Sequence, residues 1–413
     1  MAKLTLNSIS PSVFKVNASE VADGSATRAT IVSAGRTLAY EHARKGQKAL
    51  YAVLKKADDS ASAMLTSEQY KAMNERFQAE HLLYAARKVC EFTGEKAPEN
   101  FDEFKSMGQK FYGDSHFYKV LQGIYQEIIT PILPRVYSEA VDVFADTVEV
   151  GFGETYAVSI NSNDIPIFQD SAWGAAMSAP RNEFYAKDYV LNPKPRTAAI
   201  KMKWMQLVSN GIDFGAFFAN LTAGMYAKTM GLWNAAMTAA ASNTALIPSA
   251  LQVTFSAQNW VTLANKIAAL NATIISNTIG FGSAVALSKV LPTEVTGATN
   301  VNMDAAIAML LGADYVRAGY LGEYMATRLM PLTDVIIPGT QNTNPTTMLP
   351  NNKVWMMAAN GRKPMTIGYN SGTPITIDIT PERTADFTMN FVMTMAIDSV
   401  LTVPSKMGIV TIS

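Results

Sequence analysis

A helical pattern running from Asp213 to Ala241 constrains this chain more than any other stretch. Large apolar side chains recur at Phe214, Phe217, Phe218, Leu221, Met225, Leu232 and Trp233, three and four residues apart. That is the period of a helix and not the alternation of a strand. Asp213 follows the turn-like Ser209-Asn210-Gly211 and is placed to cap the first free N–H groups. Ala239, Ala240 and Ala241 prolong the helix at no side-chain entropy cost, and Asn243 and then Pro248 end it. At about 1.5 Å per residue the rod is about 40 Å long, more than twice a mean helix. A membrane span is the competing reading, but Gly, Asn, Thr and Lys228 interrupt the apolar run too often for it. The pattern predicts a long core helix with small residues on one side, a scaffold that other elements lie across.

The length of 413 residues allows two or three domains and ample buried core. Charged residues make up only 16%, and 34 basic residues balance 34 acidic ones. A balanced chain argues against a dedicated nucleic-acid binder, which would be basic overall. Low charge and zero net charge favour self-association, a fault in a monomer and an asset in an assembly subunit. The 22 methionines suit irregular contacts. Cys90 stands alone, so the chain can form no intrachain disulfide and no cysteine cluster for zinc. The start Met1-Ala2-Lys3-Leu4-Thr5 lacks the apolar core of a signal peptide. Both facts fit synthesis in a reducing cytoplasm.

Residues up to about 32 are rich in Ser, Thr, Ala and Asn and read as an extended or mobile arm. An amphipathic helix is expected over Gly35 to Ala57, with Arg36, Arg44, Lys45, Lys48, Lys55 and Lys56 against Leu38, Tyr40, Leu50, Tyr51 and Leu54. The basic cluster is either a solvated face or a contact for nucleic acid or an acidic neighbour. Thr66 with Gln69 makes a capping box for a second helix with Tyr70, Met73, Phe77 and Tyr84 on one face, and Gly94 can close it. Shorter helices are expected around Phe101, Phe104 and Phe117 to Ile129. The two prolines of Thr130-Pro131-Ile132-Leu133-Pro134-Arg135 impose an extended connector and mark a boundary.

From Val141 the period becomes two. Val148, Val150 and Phe152, then Tyr156, Val158 and Ile160, alternate with small or polar residues and predict strands. A polar excursion between Asn161 and Thr197 carries Phe168, Trp173, Phe184 and Tyr185. Val190-Leu191 and then Thr197 to Val208 resume strand-like residues, so the excursion leaves and returns as a two-stranded arm. So thin an arm cannot bury its aromatics. They need the chain's own core or a neighbouring subunit, and these four are the candidate intersubunit contacts. Lys187, Lys194, Lys201 and Lys203 are expected on this arm, for solubility or salt bridging.

Beyond the long helix, Pro248 to Phe255 is a short strand candidate and Trp260 to Asn271 a helix with Leu263, Ile267 and Leu270 on one side. Ala284 to Val290 is a short apolar run, and Met303 to Leu311 is a further helix with Asp304 in its first turn. Val335-Ile336-Ile337-Pro338 and Val354-Trp355-Met356-Met357 are candidates for buried strands, with a loop from Gly339 to Asn352. The tail is mostly strand: Ile375 to Ile379, Phe387 to Val400 and Ile409 to Ile412. Helix and strand mix late in the chain, which gives an α+β class.

A search for chemistry finds little. His42, His81 and His116 are the only histidines. A Ser/His/Asp or Cys/His arrangement would have to come from the helical first third. His81 and Cys90 share roughly one helix face but lie about 13 Å apart along it. Gly151-Phe152-Gly153 lacks the third glycine of a dinucleotide fingerprint. Asp164, Asp170, Asp378, Asp386 and Asp398 have no metal-loop spacing. No catalytic, cofactor-binding or metal residue is assigned, and the chain is read as a non-enzyme that needs no cofactor.

The order of parts carries a resemblance. A helical N-terminal arm and a proline connector lead into a long hairpin, a long helix, a mixed region and a C-terminal strand beginning Met407-Gly408-Ile409-Val410. With Gln126-Glu127-Ile128-Ile129-Thr130-Pro131-Ile132-Leu133-Pro134-Arg135 and the tail from Phe387 to Ile412, this resembles the major capsid proteins of tailed bacteriophages with the HK97 fold. The resemblance covers about residues 120 to 413 and is one of architecture. It implies a helical N-terminal arm over 1–135, an E-loop with its flanking strands over 136–212, a peripheral-domain spine helix over 213–249, an axial domain over 250–375 and return strands of the peripheral domain over 376–413. Some members join Lys to Asn with the help of a buried Glu. No residues of this chain can be picked for those three roles, so no isopeptide network is expected.

The expectation is a capsid subunit that self-assembles as hexamers and pentamers into an icosahedral virion shell. That shell encloses double-stranded DNA without sequence specificity, alongside scaffolding, portal or cement proteins and without a membrane, and assembles in the host bacterial cytoplasm. Two other readings stand beside it: an encapsulin-type nanocompartment with a protein cargo, and a cytoplasmic enzyme of unknown chemistry.

Overall fold

The structure, a computed structural model, describes residues 27–46, 65–131, 144–161, 186–209, 211–244, 246–271, 277–290, 319–332, 334–340, 343–359, 363–370, 375–382, 387–402 and 407–412. The helices are α1 (Arg28–Gly46), α2 (Ser67–Thr93), α3 (Phe101–Ser106), α4 (Gly108–Tyr112), α5 (Ser115–Ile129), α6 (Trp204–Val208), α7 (Phe214–Ser242), α8 (Ala257–Leu270) and α9 (Ala284–Ser288). The strands are β1 (Ala145–Val150), β2 (Tyr156–Asn161), β3 (Ala186–Leu191), β4 (Lys194–Lys203), β5 (Gln252–Thr254), β6 (Thr278–Ser283), β7 (Glu323–Tyr324), β8 (Thr327–Leu332), β9 (Lys353–Ala358), β10 (Met365–Asn370), β11 (Ile375–Pro381), β12 (Thr388–Leu401) and β13 (Gly408–Thr411). The class is α+β, as the sequence implies. The chain divides into two units, one of Met1–Val141, Pro193–Tyr226 and Tyr369–Ile397, the other of Asp142–Asn192, Ala227–Gly368 and Asp398–Ser413.

The long helix α7 has 29 residues and contributes to both units, the first taking it up to Tyr226 and the second from Ala227. Asp213 caps it: its carboxylate accepts the Ala216 N–H at 3.0 Å and its carbonyl the Phe217 N–H at 2.9 Å. Phe214, Phe217, Phe218, Leu221, Met225 and Trp233 are buried, and Leu232 is half-buried. Asn220, Gly224, Lys228 and Ala235 form its exposed stripe. No described helix is long and apolar enough to cross a membrane.

In the first unit, α2 opens on the expected capping box. Thr66 Oγ1 accepts the Gln69 N–H at 3.3 Å, and the Gln69 side chain accepts the Thr66 N–H at 2.9 Å. Gly94, at φ 72°, closes it. The buried stripe runs through Phe77, His81, Leu82, Ala85, Ala86, Val89 and Cys90, while Tyr70, Met73 and Tyr84 are half-buried. Helix α5, capped by Asp114, buries Phe117, Leu121, Ile124, Tyr125 and Ile128 and packs on β11. Strand β12 pairs antiparallel with β11 along one edge, from Ile375↔Met395 to Pro381↔Met389, and with β4 along the other, from Thr388↔Lys203 to Ile397↔Lys194. Met389, Phe391, Met393, Met395 and Ile397 alternate inward from β12. Phe391 lies 4.9 Å from the Phe217 ring and 5.9 Å from Tyr125, so helices and sheet share one aromatic core.

The second unit is built on a six-stranded sheet ordered β5-β13-β9-β6-β8-β7. Strand β9 is antiparallel to both β13 and β6, whereas β13–β5 and β6–β8 are parallel. Residues Val354 to Ala358 of β9 are all buried, which explains why they read as a continuous apolar run. Trp233 of α7 meets Trp355 edge-on at 4.7 Å, with Phe144 and Phe281 alongside. Helix α8 turns Trp260, Leu263 and Ile267 inward, as its spacing predicts.

Four sequence expectations need correction. The first helix begins at Arg28, not Gly35, and Ile31 and Val32 are buried, so residues 28–32 are not a mobile arm. Thr197 to Val208 is not all strand: Trp204–Val208 is helical, and Trp204 enters an aromatic cluster with Phe104, Tyr112, Phe117 and Tyr118. Lys194, Lys201 and Lys203 sit on β4 beside β12 and not on the two-stranded arm. Val335 to Pro338 is not a buried strand; Ile336 forms a lone bridge to Thr347, and Ile336 and Ile337 are exposed. Outside the described residues lie the expected arm up to residue 26, the end of the first helix from Gln47 to Ala57, the Met303 to Leu311 helix and most of the connector after Pro131.

Candidate functional site

Strands β2 and β3 pair antiparallel from Tyr156↔Leu191 to Asn161↔Ala186 and make a sheet of two strands only. A lone ladder of this kind has no core of its own. It is rooted in the second unit at one end. Val150 and Leu191 are buried there, and a Cβ on Gly368 would stand 3.3 Å from Val150 and 3.6 Å from Leu191. The Asn192 N–H donates to Asp398 Oδ2 at 3.0 Å and fixes the exit of β3. Away from the root, Tyr156, Ala157, Ser159, Asp188 and Val190 are all exposed. The two-stranded arm read from the sequence is therefore present, anchored by its foot and open along its length.

The aromatics expected at its far end, Phe168, Trp173, Phe184 and Tyr185, lie outside the described residues. Phe152 was read as one more alternating strand residue. It stands instead in a turn: the Glu154 N–H donates to the Gly151 carbonyl at 3.0 Å, and Gly153 has φ 77°. The signal was in the sequence, since glycines flank Phe152 and break the alternation.

The residues weighed for chemistry fall into structural roles. His81 is fully buried, with Nδ1 2.6 Å from the Phe77 carbonyl and Nε2 2.9 Å from the Tyr125 hydroxyl. Burial pushes its pKa down to about 4. Cys90 is a buried thiol whose pKa is raised, chiefly by burial. His116 rests against Asp114 and the exposed Phe92 ring. Among the described residues no group of His, Cys, Asp and Glu is set to hold a metal.

One constellation escaped the sequence reading. Lys201 and Asn390 face each other across the β4–β12 ladder, and both reach Glu382. Lys201 Nζ lies 2.7 Å from Glu382 Oε2, and Asn390 Nδ2 donates to Oε1 at 2.6 Å. Thr388 adds a third donor at 2.9 Å. The three residues are 181 or more positions from Lys201 along the chain, so spacing could not reveal them. This is a Lys, Asn and Glu set within one chain, held together by the ion pair and two hydrogen bonds. Hydrogen bonds from Lys201, Thr388 and Asn390 hold the Glu382 carboxyl down at about 2, so it is an anion. Lys201, exposed on β4, is the ion-pair partner of that anion.

The chain is similar to three solved structures at low identity. The capsid of the cyanophage P-SCSP1u is 11% identical over 65% of this chain and 85% of that one, with a TM-score of 0.40. The mature capsid of bacteriophage PhiM1 is 10% identical over 66% and 86%, at 0.39. The SrpI encapsulin of Synechococcus elongatus is 10% identical over 66% and 85%, at 0.35. No curated protein sequence matches the chain. A family model described as "SPbeta prophage-derived putative capsid protein YonB" matches residues 83–411, which takes in most of the first unit and nearly all of the second. By that match, the chain belongs to the YonB family of prophage-derived capsid proteins.

Proposed function

We propose that this chain is the major subunit of an icosahedral phage head, arranged as hexamers and pentamers around packaged double-stranded DNA. The match to a capsid family along 83–411 carries this reading. The mechanism is geometric and needs no catalytic residue. Residues 136–212 act as the E-loop with its flanking strands, and 213–249 as the spine helix of the peripheral domain. Residues 250–375 act as the axial domain, and 376–413 return to the peripheral domain behind the helical arm of 1–135. Phe168, Trp173, Phe184 and Tyr185 bury against a neighbouring subunit. Head-to-tail contacts of one kind close into rings around each axis. Zero net charge leaves little long-range repulsion between copies. DNA is held without sequence readout, in keeping with the balanced charge, and assembly takes place in the host cytoplasm with scaffolding, portal or cement proteins.

Negative-stain microscopy of the purified protein tests the reading, with extraction of whatever the particles contain. Closed shells with nuclease-protected double-stranded DNA are expected from infected or induced cells. Shells holding a specific protein and no DNA would replace the phage head with a cargo compartment. Absence of any closed particle would overturn both.

A further inference from the structure

We propose that Phe152 is an intersubunit anchor, an aromatic side chain held out by a rigid turn at the root of the β2–β3 ladder for burial in a second copy of this chain. The inference rests on the shell reading above and adds a residue and a contact to it. Phe152 is 84% exposed, the most exposed large apolar side chain among the described residues. The turn that carries it is well determined by the Gly151–Glu154 hydrogen bond and by Gly153 in the left-handed region, where other residues are strained. Nothing in that turn requires a phenyl ring, since the position ahead of a left-handed glycine accepts most residues and favours proline. The ring therefore serves no local fold.

Rigid presentation lowers the entropy lost on docking, and aromatic side chains dominate the energetics of interfaces. Apolar surface continues along the same element at Tyr156, 42% exposed, and Val190, 57% exposed. The charges nearby select the kind of partner. Glu149 and Glu154 flank the turn and are exposed, and the turn itself carries no basic residue, while Asp146 on β1 is paired with Lys363 at 3.4 Å. An acidic surround repels nucleic-acid phosphate and anionic lipid, so neither stacking on bases nor membrane insertion fits. A chain without net charge presents no such barrier to its own copies.

Three variants test this in the full chain. Phe152→Ser should keep the wild-type thermal midpoint, because the ring touches little of its own subunit, yet need at least about tenfold more protein to form shells. Phe152→Leu should assemble close to the wild-type concentration. A photoreactive benzoylphenylalanine at position 152 should give subunit dimers on a denaturing gel after illumination of assembled particles. The proposal is overturned if Phe152→Ser assembles at the wild-type concentration, if it loses thermal stability, or if the photoreactive residue links only within one chain. A wild-type chain that never leaves the monomer would instead overturn the shell reading, and the anchor with it.

Discussion

Gly215 shows how a single residue sets the start of the long helix α7. A Cβ there would collide with the Tyr70 hydroxyl and stand 2.7 Å from the Leu38 carbonyl, which is backbone and cannot swing away. Alanine would add about 1 kcal/mol of helix propensity, but overpacking costs about 1–3 kcal/mol. Gly215→Ala should therefore lower the unfolding free energy by up to roughly 2 kcal/mol in a denaturant titration. The neighbouring contacts explain why no slack exists. Tyr70 donates to Asp213 at 2.7 Å, and Asn74 accepts the Phe214 N–H while donating to the Ile212 carbonyl. His81 makes a second residue-scale prediction. Its pKa is lower in the folded chain than the ordinary 6.5, so its neutral form stabilises the fold above that value. As pH falls from 6.5 through about 4 that contribution is lost, up to about 3 kcal/mol. The Phe77 carbonyl and Tyr125 hydroxyl are its hydrogen-bond partners. Thermal midpoints should fall across that window, and less steeply in His81→Gln. Glu382 acts lower on the scale: its depressed pKa supplies stability above the ordinary 4.5 that is lost as pH falls toward about 2. Lys201, Asn390 and Glu382 meet within one chain, so a bond among them would join no subunits, and boiled particles should run as one monomer band on a denaturing gel. A ladder of multimers would show a nucleophilic lysine after all.

At the scale of elements, the β7–β8 hairpin stores strain that the sequence does not advertise. Met325 and Ala326 form its two-residue turn at φ 46° and 60°, where Asn-Gly is preferred. Replacing Met325→Asn and Ala326→Gly together should raise the unfolding free energy by about 1–2 kcal/mol. No change, or a loss, would mean that Met325 contributes packing not visible from its exposure. Elements with strong end signals were the legible ones. The Thr66 box and Asp213 each satisfy orphan N–H groups by local geometry, and a local signal can be read locally. Trp204–Val208 was misread because its β-like residues are helical only in company. Its first N–H donates to the Phe387 carbonyl, and Trp204 fills a pocket made by residues a hundred positions away. The exposed pair Ile336 and Ile337 misled in the same way. Asp334 accepts the N–H groups of Val335, Met348 and Leu349, and so fixes a loop where hydrophobicity alone suggests a strand.

For the whole molecule, the sharpest prediction concerns the excursion after β2. Replacing 162–185 by a short Asn-Gly turn should leave both units folded, with one cooperative thermal transition, since the ladder is held at its root. The shortened chain should fail to close shells. Normal shells would sink the assembly role of Phe168, Trp173, Phe184 and Tyr185, and loss of the transition would return those aromatics to the subunit core. The intact chain should not persist as a 44.7 kDa species across concentrations in size-exclusion chromatography with light scattering.

Local signals in the sequence suffice for the long helix, its cap, the two-stranded arm, the strand-rich tail and the α+β class. Each of these is written in period, end residues and turn chemistry, which act over a few neighbours. The fold in three dimensions alone brings α1 to α5 into one unit with β11 and β12. It alone placed Lys201 against Glu382 and Asn390, and it alone showed Phe152 leaving the strand to stand in solvent. Those facts depend on which distant segments meet. Apolar side chains bury without directional preference, so a pattern of hydrophobic residues states that a face is covered and leaves open by what.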